Sequence, residues 1–207
     1  FTEQTLQIQA ETHLWGQPFA VEGGVDEAGR TRIQARGQLS GEALQQAVEW
    51  PALQRLGLRA RGETPVAVSV AVPDAGPGRG QPEVVVTSTL QGLAIDLPAP
   101  LHKPAGVSWP LRVVHRADAP QGHADAILVD LGGAAPLAGG TPWLHVDLRR
   151  DVSGPRALVR RGVMSLQQPG AGPMAQPVLP LTGIAAQAQL STLDVDAWKA
   201  VWDATEP

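Results

Sequence analysis

The stretch Val66–Val72, which reads VAVSVAV, decides the fold class of this chain of 207 residues. Valine occupies every second position, and alanine or serine occupies the positions between. Successive side chains of a β-strand point to opposite faces, so the valines form one face and the small residues form the other. The stretch therefore predicts a strand with one bulky apolar face.

The same period of two recurs on both sides of this stretch. Leu6–Leu14 alternates apolar residues with Gln, Glu and His, and Arg30–Leu39 alternates Arg and Gln with smaller or apolar residues after a turn at 26–29. Glu83–Leu97 reads as two strands joined near Gln91 and Gly92. Further strand candidates are Phe19–Val21, Leu111–His115, Ala126–Leu131, Trp143–Leu148, Arg156–Gln167 with a bulge at Gly162, and Ile184–Leu190.

Helical patterns are few and short. Ser40 is a suitable N-cap for one short helix, and 51–56 reads as a second helical turn. A last turn begins at Asp194 or Asp196, and its apolar residues share one face: Trp198, Val201 and Trp202. With 23 glycines and 19 prolines, the chain favours frequent turns over long helices.

These patterns predict a mainly β chain with minor α content, built as a curved, mostly antiparallel sheet with two or three short helices. Such helices are too few to cover so wide a sheet. The apolar side of the sheet must then be covered by the sheet itself, in a sandwich or barrel, or form an open groove around another apolar molecule.

Composition excludes several classes of function. The chain has no cysteine, which excludes disulfides, thiolate metal sites and a cysteine nucleophile. Its net charge of −4 and its dispersed acidic residues provide no basic surface for nucleic acid. No apolar run is long enough for a membrane span, and no signal peptide precedes the first strand. Because the chain begins inside a strand, we expect it to be a segment of a longer protein.

Candidate chemistry is sparse. Two His-x-Asp pairs, His123 with Asp125 and His145 with Asp147, place a base and a carboxylate on one face of a strand, but no third metal ligand follows by spacing. Asp194 and Asp196 resemble the carboxylate pair of a hydrolase, although helix capping explains them better. Trp143 is out of phase with Leu144, which predicts that its ring lies on the polar face, where it would offer a stacking surface for a sugar. We predict no enzyme, no metal and no cofactor.

The stretch TSTLQGLAIDLPAPLHK, from Thr87 to Lys103, resembles the central-domain signature of the YhdP-type, AsmA-like envelope proteins. LPLTGIAAQAQLSTLDVDAWK, which begins at Leu179, is similar to a later pattern of the same family, and GQLSGEAL, which begins at Gly37, is similar to its start. The residues that match are Ser88, Leu90, Gly92, Leu93, Ile95, Leu97, Pro98, Pro100, Leu101, Lys103, Leu193, Asp194, Asp196 and Trp198. We interpret six of these residues as structural, because they shape a turn between strands: Gly92, Leu97, Pro98, Pro100, Leu101 and Lys103.

This resemblance implies that residues 1–207 are one segment of a repeated β-groove domain, excised from a very long periplasmic protein of a Gram-negative bacterium. The inner-membrane anchor would lie outside this segment. Its implied partners are phospholipid, moved toward the outer membrane along an apolar gutter without catalysis, and neighbouring segments of the same chain.

From periodicity alone, an apolar stripe is most often ordinary core, but the resemblance favours a lipid-lining groove. The groove candidates, chosen by parity, are Leu6, Ile8, Ile33, Val66, Val68, Val70, Ile95, Val113, Val146 and Ile184. The alternative is an envelope scaffold: a β-sandwich module with a closed core that binds protein or glycan.

Overall fold

The computed structural model describes residues 7–25, 31–47, 59–72, 82–117, 123–132, 142–169, 171 and 177–204. Leu6 lies outside the described residues, as do the predicted turn at 26–29 and the predicted helical turn at 51–56.

Eleven strands and two short helices make up the described part of the chain. The strands are β1 (Gln7–Leu14), β2 (Gln17–Val25), β3 (Thr31–Ser40), β4 (Ala60–Val72), β5 (Glu83–Ser88), β6 (Leu93–Ile95), β7 (Leu111–Ala117), β8 (Ala124–Leu131), β9 (Leu144–Asp151), β10 (Leu158–Gln167) and β11 (Gly183–Gln189). The helices are α1 (Gly41–Ala47) and α2 (Val195–Asp203).

The strands form one open sheet in the order β1-β2-β3-β4-β5-β7-β8-β9-β10-β11, with β6 paired to β4. Every pairing along this order is antiparallel except that of β10 with β11, which is parallel. The structure confirms a mainly β chain with an open, mostly antiparallel sheet. The described strands do not divide into two layers, so the sandwich alternative is wrong for this part of the chain.

Two strand details differ from the sequence prediction. The turn at Gln91 and Gly92 is present, but β6 then pairs with the start of β4, at Ala60–Gly62, and not with β5. The bulge in β10 lies between Val159 and Arg161, and not at Gly162. The pairing of β6 with β4 joins distant parts of the chain, and the bulge depends on the register between β10 and β9; local periodicity contains neither.

The two helix caps follow the sequence prediction. The Ser40 side chain accepts a hydrogen bond from the backbone N–H of Ala43 at 3.1 Å, and Asp194 accepts one from Ala197 at 2.9 Å. The apolar face of α2 is only partly packed: Val201 is buried, but Trp202 is exposed, which corrects the expected packing of that residue. These contacts support Asp194 as the cap of α2.

A hydrophobic core lies at one end of the strands, which we call the covered end. One cluster of buried residues joins Leu39, Ala43 and Val66, so that α1 packs on β3 and β4. A second cluster is formed by buried residues from β4, β6, β8 and the segments beside them: Ala60, Leu90, Leu93, Leu131 and Trp143. We call the opposite end of the strands the open end.

Trp143 belongs to this core, so its predicted role as an outward sugar platform is wrong. Its side chain is buried and meets Trp109 edge to face, with ring centroids 4.9 Å apart. The ring lies against Gly132, where an added Cβ would fall 1.8 Å from Trp143 Cδ1. The missing side chain of Gly132 provides the space that the indole fills.

Candidate functional site

The register of the sheet aligns one apolar residue from each strand except β6 into a continuous row. Directly paired residues of neighbouring strands lie on the same face. The central row therefore crosses ten strands and contains no polar residue: Ala10, Val21, Ala35, Val68, Val86, Val113, Val129, Val146, Met164 and Ala186. We call the side of the sheet that carries this row the apolar face.

Two further rows flank the central row on the apolar face. The row toward the covered end has the positions Thr12, Phe19, Gly37, Val66, Ser88, Leu111, Leu131, Leu144, Leu166 and Ala188. The row toward the open end has the positions Ile8, Gly23, Ile33, Val70, Val84, His115, Ile127, Leu148, Gly162 and Ile184. His115 is the one ionisable residue in the three rows.

These rows define an apolar band of considerable size. Strands lie about 4.8 Å apart, and residues on one face of a strand lie about 6.7 Å apart, so the band is about 43 Å long across the sheet and about 13 Å wide. A contiguous apolar patch marks a binding site where it is exposed, so the exposed part of the band decides its role.

Much of this band has no covering layer within the described residues. The two core clusters reach the covered-end row, together with Val68 and Val86 of the central row. Away from these clusters, Ile33, Met164 and Ile184 are exposed. The band is therefore packed at the covered end and only partly covered at the open end, where Ile33 and Ile184 are exposed and Leu148 is buried.

The opposite face of the sheet carries ion pairs, and it also buries apolar residues, namely Val114, Ala126 and Val163. Arg36 pairs with Glu22 at 3.8 Å, and the Nε of Arg149 lies 2.9 Å from Asp147. The pairing predicted within His145-x-Asp147 is not seen, because His145 Nδ1 lies 2.6 Å from Asp130 on the neighbouring strand. No group of three metal-ligating side chains occurs in the described ranges.

A charged cluster interrupts the apolar face at the open end. Asp125 contacts His115 Nε2 at 2.8 Å and accepts a hydrogen bond from Arg150 Nε at 2.8 Å, so its partner is not the predicted His123. Burial by itself raises the pKa of Asp125, but the hydrogen bonds from Arg150 and His115 outweigh it and hold the pKa below its usual range. We call His115, Asp125 and Arg150 the rim cluster.

Eight of the ten groove candidates share the apolar face. They occupy the three rows at positions Ile8, Ile33, Val66, Val68, Val70, Val113, Val146 and Ile184. The other two are Leu6, outside the described residues, and Ile95, which is half-buried in β6 and outside the rows. The rim cluster was missed because its members come from three strands, and only the register brings them together.

The residues of the Thr87–Lys103 stretch build a compact connection at the covered end. Ser88 Oγ donates to the Pro65 carbonyl at 2.8 Å and accepts from the Leu90 backbone N–H at 2.9 Å. Gly92 has a φ of +94°, and an added Cβ would lie 2.2 Å from the Glu63 carbonyl oxygen. After the buried Leu97, the connection turns through Pro98, a cis peptide bond at Pro100, and Leu101, whose N–H donates to Pro98 at 3.0 Å.

Two further residues of the family stretches tie this connection to its surroundings. Trp198 Nε1 donates to the Ala99 carbonyl at 3.0 Å, so α2 contacts the connection. The fully buried Lys103 donates from Nζ to the carbonyls of Leu93, at 2.7 Å, and Pro104, at 3.2 Å. Asp196 is an exposed residue in the first turn of α2. These contacts are structural.

Burial lowers the pKa of Lys103 below its ordinary value of 10.5, because the charged ammonium loses water. The folded state then binds fewer protons than the unfolded state in the interval below 10.5, so the free energy of unfolding rises with pH there. We expect urea unfolding between about pH 8 and 10.5 to show this rise, and Lys103→Met to reduce it.

The matched control is Lys199→Met, which changes the only other lysine, a mostly exposed one. The chain has no tyrosine or cysteine, so few other side chains titrate in this interval. An equal rise in the native protein and in Lys103→Met would contradict the assignment to Lys103.

Comparison with known proteins identifies the family of this chain. No helix of the described residues is long and apolar enough to cross a membrane. No curated protein and no solved structure matches the chain. The model of one family, described as YhdP protein, matches residues 1–205, which is nearly the whole sequence. The chain therefore belongs to the YhdP family of bacterial envelope proteins.

Proposed function

We propose that this chain is a noncatalytic lipid-transport segment whose apolar face binds the acyl chains of phospholipids. The observation that supports the proposal is the three-row apolar band, which is only partly covered by the described residues and leaves Ile33, Met164 and Ile184 exposed. In this proposal the segment lies in the periplasm, within an inner-membrane-anchored protein, and passes lipid between the inner and outer membranes.

The dimensions of the band suit a lipid tail. The hydrocarbon core of a bilayer is about 30 Å thick, so one leaflet contributes about 15 Å of tail, close to the width of the band. Each buried methylene contributes about 0.8 kcal/mol, and an apolar band supplies this without specific polar contacts. Because the central row keeps its character over ten strands, a tail meets a similar surface at each step across the sheet.

Within the described residues both edges of the sheet are unpaired, which suits continuation by neighbouring segments of the same long chain. The order of strands begins at β1 and ends at β11, and these two strands do not pair with each other. The edge strand β11 reads GIAAQAQ and lacks the charges and prolines that usually block edge pairing. A further strand added at this edge would extend the apolar band.

Native mass spectrometry and lipid extraction of the purified chain test this proposal. The chain is expressed in a Gram-negative host, purified without detergent, and compared with a purified periplasmic protein of similar size. We expect phospholipid to co-purify with the chain and not with the comparison protein. A lipid-free chain that also fails to take up phospholipid from vesicles would overturn the proposal.

A further inference from the structure

The two ends of the apolar band differ in polarity, and this difference favours one orientation of a bound amphiphile. At the covered end, the band runs into Leu111, Leu131 and Leu144, which pack with the buried Trp143. A phosphate placed there would lose its water without gaining hydrogen-bond partners. At the open end, the band meets the charged rim cluster. The charged groups of the rim cluster therefore favour the open end for the polar part of an amphiphile.

The rim cluster lies beside the band, and its members differ in exposure: the Arg150 side chain is 20% exposed, between the values for His115 and Asp125. His115 occupies the open-end row itself, and Asp125 and Arg150 pair with each other one row further along β8 and β9. The His115 side chain is 47% exposed, whereas the Asp125 side chain is 8% exposed. The buried carboxylate thus holds two basic side chains in place next to Ile127 and Leu148 of the band.

From this arrangement we propose that a bound phospholipid lies with its acyl chains along β7, β8 and β9 and its phosphate diester against His115 and Arg150. The inference rests on the proposed function and adds an orientation and a headgroup contact to it. An imidazole N–H and a guanidinium donate hydrogen bonds to phosphate oxygens, and hydrogen bonds to an ionised phosphate are stronger than those between neutral groups. Asp125 acts as a positioning residue that fixes both donors.

The test compares two lipids that share the same tails, a phosphatidylglycerol and a diacylglycerol, in binding to the native chain. We expect the phosphatidylglycerol to bind about ten- to hundredfold more tightly, the range for one hydrogen bond to a charged group. His115→Leu should remove most of this preference, because leucine continues the open-end row but has no hydrogen-bond donor.

The matched control is Arg116→Leu, which changes the next residue of β7, on the opposite face. Its side chain is 45% exposed, close to the value for His115, and it pairs with Glu83 at 3.6 Å. We expect Arg116→Leu to keep the preference for phosphatidylglycerol. Thermal unfolding of both variants shows whether either has lost its fold.

The outcomes separate the orientation from the function itself. Equal affinity for the two lipids in the native chain, or an equal effect of both substitutions, would overturn the orientation and leave lipid binding intact. Binding of neither lipid would overturn the proposed function. Displacement of phosphatidylglycerol by millimolar inorganic phosphate would assign the rim cluster to a free anion, and would also overturn the orientation.

Discussion

Replacing Val70 by glutamate is expected to reduce the amount of co-purified phospholipid at least about tenfold, because a carboxylate on the apolar face must lose its water when a tail is bound. Val70 lies in the open-end row between Ile33 and Val84, outside the two core clusters. Lipid extraction followed by mass spectrometry measures the effect, and thermal unfolding reports on the fold.

The matched control for this substitution is Ser69→Glu. Ser69 precedes Val70 in β4 and pairs with Gln34 and Val85 on the opposite face. We expect Ser69→Glu to retain its lipid and its unfolding temperature. If both variants retained lipid, the apolar face would not be the binding surface. If Val70→Glu alone failed to fold, Val70 would belong to the packed core.

Replacing Gly132 by alanine is expected to lower the free energy of unfolding by about 3–5 kcal/mol, comparable to the loss of a large core side chain. Gly132 has a φ of +78°, which disfavours any residue with a Cβ, and that Cβ would overlap the Trp143 ring at 1.8 Å. The indole must leave its position against Trp109. Urea unfolding measures the loss, and tryptophan emission should move to longer wavelength.

Gly106→Ala provides the comparison for this substitution. No atom lies within 4 Å of a Cβ added at Gly106. We expect a change within about 0.5 kcal/mol, as for most surface substitutions. Equal stabilities of Gly132→Ala and Gly106→Ala would show that the Trp143 ring does not depend on the space at Gly132.

Periodicity in the sequence predicts most strands and one face of the sheet. A strand has a period of two, so the parity of Val68 and Val70 fixes which side they share, whichever strands pair with β4. When the pairing brings strands together in register, candidates as distant as Ile33, Val146 and Ile184 occupy the same face. Local patterns were sufficient for these candidates because the register keeps residues of the same parity on one face.

Features that depend on contacts between distant residues were not predictable in this way. Its phase relative to Leu144 predicts that Trp143 is exposed. The side chain is buried because it fills the space beside Gly132 and packs against Trp109. The Asp125 partners come from β7 and β9, and the two-residue spacing to His123 suggested the wrong histidine. The family stretch at Thr87–Lys103 identified the protein family, whereas its hydrogen bonds became visible only in the folded chain.

The strand order has a consequence for how this architecture assembles and changes. Apart from the short β6, neighbours in the sheet are also neighbours in the sequence. The connections between paired strands range from 2 residues, between β1 and β2, to 22 residues, between β5 and β7, so the sheet can form strand by strand along the chain. Inserting or deleting one hairpin then alters the length of the sheet without rearranging the remaining strands, as in repeat proteins. Evolution can therefore adjust the span of such a protein in steps of one hairpin.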